Sequence, residues 1–259
     1  MSIQKPRFTS GRQYLPRRPE LMTNSSRILV IIPVHNERSS IARVISEVRA
    51  TAPDCDILVV DDASDDGSQR IARQLGAMVV VLPFNLGIGG AVQTGFKVAK
   101  QLGYEIVVQV DGDGQHDPSY IKQLVEPLMT GVSDISIGSR HLYVGNSESS
   151  LTRRAGMRFF SWLTSRLTSS TVTDCSSGFR ALNKRAYVLF SDDYPVDFPD
   201  AEALITAHRA GLRICEIPTR FRERDQGKSS LRAWRLFYYP IKETFSILVM
   251  LSRRQSNAS

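Results

Sequence analysis

Apolar residues along this chain come in short unbroken runs, each closed by polar or glycine-rich punctuation. Ile28-Leu29-Val30-Ile31-Ile32 is the first. Its β-branched side chains occupy consecutive rather than alternate positions, the pattern of a strand covered on both faces. Pro33 ends it, and the stretch from Ser39 or Ser40 to Ala50, before Pro53, predicts a helix. The alternation then repeats. Strand Ile57 to Val60 runs into Asp61-Asp62, helix Ser68 to Leu75 stops at Gly76, and strand Met78 to Leu82 follows. Helix Gly89 to Leu102 is closed by Gly103, and strand Ile106 to Val110 leads to Asp111-Gly112-Asp113. Asp117-Pro118 supplies an N-cap and first-turn pair for a helix to Met129, and Asp134 to Gly138 predicts another strand.

The second half is more polar. Residues 141–155 predict a loop into a helix containing Met157 to Leu167, and Ser169 to Ser177 is a further polar stretch. A helix around Ala201 to Ala210 stops at Gly211, Leu212 to Ile217 predicts a late strand, and residues 219–230 form a basic loop. Trp234 to Leu251 reads as a largely apolar helix interrupted at Pro240. Strands alternating with helices predict an α/β fold with a mainly parallel central sheet and helices on both faces. In such folds ligands gather beyond the carboxyl ends of the strands, where the acidic motifs fall. The organisation expected is a flexible basic arm over residues 1–26, one catalytic domain over 27–230, and a C-terminal amphipathic helix with a basic tail over 231–259.

Charge divides the chain in a way the net +7 conceals. Residues 1–27 carry six basic and one acidic side chain, residues 28–202 carry 16 and 21, and residues 203–259 carry 11 and four. The basic tail suits phosphate or an anionic membrane surface. No helix-turn-helix, zinc-finger spacing or aromatic-basic stacking pattern accompanies it, which argues against nucleic acid. Cys55, Cys175 and Cys215 are too scattered for a disulfide framework or a zinc site and read as small buried hydrophobes in a reducing, cytoplasmic compartment. The N-terminus lacks the apolar segment of a secretory signal, and no run approaches the roughly 20 apolar residues that cross a bilayer. The final helix, with Arg232, Arg235, Lys242, Arg253 and Arg254 around its apolar face, suits a peripheral place at the membrane interface, with core packing or a homo-oligomeric interface as the alternative.

Asp111 and Asp113, one residue apart at a strand end, suit a hard divalent cation that leaves coordination positions for water and phosphates. Gly112 lets the backbone turn closely beneath a diphosphate. Helix capping or solvent exposure is the plain alternative. His116 in the same loop reads as an exposed histidine before a ligand. Of Asp61 and Asp62, one is expected to accept from a nucleobase edge or ribose and the other to cap the helix that follows, with capping alone as the alternative. Asn85-Leu86-Gly87-Ile88-Gly89-Gly90-Ala91 is a glycine-rich turn into a helix, suited to a ligand or to a close helix–sheet crossing. No Gly-Lys-Ser/Thr phosphate loop follows the first strand.

Taken in order, Pro33-Val34-His35-Asn36-Glu37, Asp61-Asp62-Ala63-Ser64-Asp65-Asp66-Gly67, Asn85-Leu86-Gly87-Ile88-Gly89, Asp111-Gly112-Asp113, Ser177-Gly178-Phe179-Arg180, the Asp200–Glu202 segment and Gly227-Lys228-Ser229 resemble one family. They are similar to the inverting, GT-A-type family 2 glycosyltransferases, especially the dolichyl- and polyprenyl-phosphate sugar transferases, over roughly residues 28–235. The resemblance implies the GT-A nucleotide-diphospho-sugar transferase fold, a UDP- or GDP-sugar donor, a polyprenyl phosphate acceptor, and Mg²⁺ or Mn²⁺. It places Pro33, Asn36, Glu37 and Asp61 at the nucleotide, and Asp111 and Asp113 on the metal with the donor diphosphate. Gln115 faces the transferred sugar or the metal's outer shell. Glu202 orients a sugar hydroxyl, or acts as base if the acceptor is an alcohol. Arg222, Arg224, Lys228 and Ser229 hold the acceptor phosphate, with a solvated surface self-paired with Glu223 and Asp225 as the alternative, and Arg140 serves the acceptor phosphate or the diphosphate. An aromatic residue is common in the family where this chain has His35. A soluble or glycan acceptor, and a nucleotide-sugar-binding protein without turnover, are the competing readings.

Overall fold

The computed structural model describes residues 27–143, 161, 164–166, 172–195 and 201–222. Among them the elements run β1 (Ile28–Val34), α1 (Ile41–Thr51), β2 (Asp56–Asp61), α2 (Ser68–Gln74), β3 (Met78–Val81), α3 (Gly87–Leu102) and β4 (Ile106–Gln109). After a 3₁₀ turn (Pro118–Tyr120) come α4 (Ile121–Met129), β5 (Ile135–Ser139), β6 (Arg180–Asn183), α5 (Lys184–Asp192), α6 (Ala201–Arg209) and β7 (Ile214–Pro218). The strands form one seven-stranded sheet in the order β3-β2-β1-β4-β6-β5-β7. All neighbours are parallel except β6, which runs antiparallel to both β4 and β5.

The double-sided burial expected of the first strand is visible residue by residue. Leu29 and Ile31 pack with Phe96, Ala99 and Leu102 of α3, while Val30, Ile32 and Val34 pack on the other face with Ile41, Val44 and Ile45 of α1. Gly95 explains how closely α3 lies on the sheet: a Cβ built there would come within 2.6 Å of Ile31 Cγ2. The close helix–sheet crossing thus falls one turn beyond the glycine-rich run itself.

Several boundaries differ from expectation. Helix α3 begins at Gly87, because the Asp62 carboxylate accepts from the N–H groups of Leu86 and Gly87 at 2.7 and 2.9 Å and caps its start. Asp62 therefore caps the helix after next rather than α2. Asp117 accepts from Ser119 N–H at 3.1 Å, but the chain makes a 3₁₀ turn before α4 proper. Strand β6 and helix α5 were not anticipated, although Asn183, whose side chain accepts from Ala186 N–H at 3.0 Å, is an ordinary N-cap. Of the three free thiols only Cys175 is buried; Cys55 and Cys215 are partly exposed, so the reading of all three as buried hydrophobes fails for two. Of the helix expected from Met157 to Leu167, Ser161 and residues 164–166 are described and helical. The N-terminal arm and the helix expected from Trp234 to Leu251 lie outside the described residues.

Asp134, buried at the other end of the sheet, joins β5, β6 and β7. It accepts from Arg213 N–H and Nε at 2.8 and 3.1 Å and from Asn183 Nδ2 at 2.9 Å. Burial alone would raise its pKa, but the hydrogen bonds from Arg213 and Asn183 outweigh it and hold the carboxyl at about 2. Asp134→Ala should cost about 1–3 kcal/mol at neutral pH, since it removes a buried carboxylate's charge-assisted hydrogen bonds to Arg213 and its bond to Asn183. Because the folded pKa is depressed, that contribution is present above the unfolded value of about 3.9 and fades as pH falls toward 2. Denaturant unfolding of wild type and variant at pH 7 and pH 2.5 should show the gap shrinking; a gap independent of pH would refute the assignment.

Candidate active site

Three neighbouring parallel strands bring the expected donor-side residues together. Register pairs Val34 of β1 with Asp61 of β2, and Ile31 of β1 with Gln109 of β4. The ends of β2, β1 and β4 therefore open side by side, with the chain crossing from the β3 edge back to β4 through α3. This is the topological switch point at which α/β sheets bind ligands. Gly112 seals the junction: a Cβ there would lie 3.1 Å from Pro33 O and 3.0 Å from Val34 Cγ2.

The loops after β1 and β2 are stitched to each other. Asn36 N–H donates to Ser64 Oγ at 3.0 Å, and its side-chain oxygen accepts from Asp65 N–H at 3.0 Å. Glu37 N–H donates to Ser68 Oγ at 3.1 Å, and Arg38 N–H donates to Asp66 Oδ2 at 2.8 Å. Asn36 and Ala63 both take positive φ, 58° and 56°, which non-glycine residues adopt only when their surroundings hold them there. His35 is exposed and sets Nδ1 2.7 Å from the Asp62 carbonyl oxygen, so that nitrogen carries the proton. Glu37 begins the path into α1, its carboxylate accepting from Ser40 Oγ at 3.1 Å.

Asp61 is fully buried. Its Oδ1 accepts from Ser64 N–H at 2.9 Å, while Oδ2 is buried with no hydrogen-bond partner among the described residues. Such an atom is rare in a folded interior because its lost hydration is not replaced.

The loop after β4 rests on aromatic packing. Asp111 N–H donates to His116 Nδ1 at 3.0 Å, which leaves Nε2 3.5 Å from Asp111 Oδ2. His116 is buried, not exposed as expected. It stacks on Phe179 at 4.9 Å and meets the edge of Phe221 at 5.0 Å. Gln109 Nε2 donates to Asp111 Oδ1 at 3.2 Å, and Asp113 Oδ1 accepts from Gln115 N–H at 3.0 Å. Gly178 lies against the same carboxylate, where a Cβ would stand 3.2 Å from Asp111 Oδ2 and 2.9 Å from Gln109 Nε2. The Ser177–Arg180 motif is thereby brought to the site, although the Arg180 side chain is buried and donates to Ser177 O and Cys175 O at 2.7 Å each.

The acceptor-side arginines are both engaged. Arg140, beyond β5, gives its N–H, Nε and Nη2 to Asp174 at 3.0, 2.8 and 2.8 Å and lies 5.0 Å from the Phe221 ring centre. Burial would raise the Asp174 carboxyl, but the Arg140 contacts outweigh it and hold it below the usual carboxylate range. Arg222 spans Glu47 and Asp117. Glu202 is half-buried in the first turn of α6. Arg224, Lys228 and Ser229 lie outside the described residues. Pro33, Asn36, Glu37, Asp61, Asp111, Asp113 and Gln115 thus share one end of the sheet. Reading along the chain brought in Phe179 only as part of the Ser177–Arg180 motif and did not single out Phe221 or Glu47. Gln109 did carry a signal, as the lone polar residue in the β4 run. An apolar groove of about 330 Å³, lined in part by Ile28, Pro53, Ile121 and Met129, holds none of the expected site residues.

The sequence profile of glycosyl transferase family 2 matches residues 29–190, which takes in every loop of the donor side. The chain belongs to this family. This family 2 glycosyltransferase is 32% identical over 217 residues to the undecaprenyl-phosphate mannosyltransferase of Micrococcus luteus, covering 79% of this chain and 87% of the relative. It is 30% identical over 224 residues to the polyprenol monophosphomannose synthase of Mycolicibacterium smegmatis, covering 82% and 84%. Its fold is GT-A. It matches mannosyl-3-phosphoglycerate synthase from Rubrobacter xylanophilus with a TM-score of 0.68 at 15% identity, over 90% of this chain and 77% of that one. Glucosyl-3-phosphoglycerate synthase from Mycobacterium tuberculosis, solved with Mn²⁺ and UDP-glucose, matches with a TM-score of 0.64 at 22% identity, over 86% and 78%. No helix among the described residues is long and apolar enough to cross a membrane.

Proposed function

We propose that this glycosyltransferase moves one hexose from a UDP- or GDP-sugar to polyprenyl phosphate, with inversion at the anomeric carbon. The observation that supports the donor side is the placement of Asp61, Asp111 and Asp113 at the ends of β2 and β4, the two strands that flank β1, with one oxygen of Asp61 buried and, among the described residues, unpartnered. That oxygen is suited to an N–H or O–H supplied by a base or ribose. The stitched loops around Asn36 and Ser64 hold the pocket's shape before the ligand arrives, which lowers the ordering cost of binding. Support for the acceptor comes from relatives named for sugar transfer to undecaprenyl and polyprenol phosphates.

Asp111 and Asp113 fit Mg²⁺ or Mn²⁺. No group of three or more His, Cys, Asp or Glu side chains meets among the described residues, but such ions commonly take one or two carboxylates and complete their shell with water and substrate phosphate. When bound there, the ion neutralises charge on the departing diphosphate. Gly178 keeps side-chain bulk away from the Asp111 carboxylate, and Gln115 and Glu202 are assigned to the sugar. The acceptor phosphate, with a second pKa of about 6, is already anionic and needs no strong base. Arg140, Arg224, Lys228 and Ser229 are assigned to holding it, and the basic C-terminal segment to peripheral attachment at the cytoplasmic membrane face.

The test is a panel of UDP- and GDP-sugars with Mg²⁺ or Mn²⁺, with and without short polyprenyl phosphates, phosphoglycerate and soluble glycans. The expected product is a polyprenyl phosphate hexose, formed with sugars of one nucleotide only. Transfer to phosphoglycerate or a glycan in place of the lipid would replace this reading.

A further inference from the structure

The segment leading into the basic loop is fastened to the loop after β4 through backbone, ring and side-chain contacts. His116 and Phe221 form a β-bridge, and their rings meet edge to face. Arg222 N–H donates to Gln115 O at 2.8 Å. Finally, Arg222 reaches across the site with its side chain: Nη1 lies 2.6 Å from Glu47 Oε2 on α1, and Nη2 lies 3.1 Å from Asp117 Oδ1. Glu47 is also 3.4 Å from Arg43. The two arginines and two carboxylates cancel, so this group presents no surplus positive charge to a phosphate carrying about −1.5 to −2. Two carboxylates on separate elements instead fix the plane of the guanidinium, a geometry in which arginine acts as a rigid fork.

The geometry points to Arg222 as a positioning residue: it clasps the start of the basic loop to α1 and to the Asp111–Asp117 loop, and it does not itself hold the acceptor phosphate. This replaces the expectation drawn from its place among the other basic residues, and it rests on the proposed transfer to polyprenyl phosphate. A clasp of this kind makes donor-side and acceptor-side loops one mechanical unit. The Asp111 backbone is held by His116, His116 packs on Phe221, and Phe221 is placed by Arg222.

Removing the arginine and removing its partners distinguish the two roles. Full-length wild type, Arg222→Met, Arg222→Lys, the Glu47→Gln/Asp117→Asn pair and the combined triple variant are compared for kcat and KM toward a short polyprenyl phosphate. Asn at 117 keeps an oxygen for Ser119 N–H, so the turn before α4 survives. For a clasp, Arg222→Met and the Glu47/Asp117 pair each lower kcat/KM about five- to tenfold, the triple variant is no worse than either, and lysine, which cannot span both carboxylates, fails to rescue. Hydrogen exchange without any ligand should show faster amide exchange in residues 111–117 and 219–222 together, in both variants. If Arg222 grips the phosphate, freeing it from Glu47 and Asp117 leaves acceptor KM unchanged or lowers it, and lysine restores most of the activity; either result overturns the clasp. Absence of any polyprenyl phosphate turnover in the wild type would remove the functional reading, while the exchange experiment would still decide the clasp: unchanged exchange refutes it.

Discussion

Turnover should fall by a factor on the order of 10²–10³ when Asp113 is replaced by Asn, the scale associated with losing one preorganised group that stabilises charge in the transition state. Asparagine keeps the size of the side chain and an oxygen for Gln115 N–H, the bond that shapes the loop. Asp113 is only partly buried, so fold stability should change far less than turnover does. The measurement is donor turnover at saturating Mg²⁺ or Mn²⁺, with a thermal melt of the same preparation. Near-normal turnover would remove Asp113 from any required part in handling the diphosphate.

Asp61→Asn should produce effects of opposite sign on folding and on binding. In the free protein the substitution replaces a buried, half-partnered carboxylate by a neutral amide that keeps an oxygen for Ser64 N–H. Burying the neutral group costs less, so the ligand-free protein should be as stable as wild type or more so. Nucleotide binding should weaken by about 1.5–3 kcal/mol, the range for a hydrogen bond to a charged group, which is roughly a 10- to 150-fold loss. Titration calorimetry with UDP and GDP, beside denaturant unfolding, reads both quantities. If affinity for the donor's nucleotide is unchanged, Asp61 is a cap for the Ser64 turn and nothing more.

The donor half was legible along the chain because its signals are local. Five consecutive apolar residues at Ile28–Ile32 announce a strand covered on both faces, and carboxylates after two such runs mark the ends of β2 and β4, which are not neighbours as expected but flank β1. What escaped depends on partners far away in sequence. His116 reads as an exposed loop residue until Phe179 and Phe221 arrive on either side of it. Asp62 looks like a cap for α2 because only the folded chain sets its carboxylate under Leu86 and Gly87. Strand β6 is four residues long and begins with an arginine. Its strand character comes from register with β4 and β5, not from its own composition. The acceptor side was legible only as a cluster of basic residues, and charge alone does not separate a ligand-binding arginine from one that ties two loops together.

The placement of β6 also dictates an order of assembly. Strands β1 to β4 pair among themselves through helical connections, so a chain emerging from its N-terminus has every pairing within this group by Gln109, while one edge of β4 still awaits β6. Strand β5 is different. Both of its neighbours, β6 and β7, are made later, and among the described residues β6 alone links β5 back to β4. During synthesis β5 therefore waits with two open edges while about 40 residues follow, the kind of long-range closure that slows folding and exposes strands to mispairing. On the ribosome β1 to β4 can pair before β5 has any neighbour, while the loop that carries Asp111 still waits for Phe179 and Phe221.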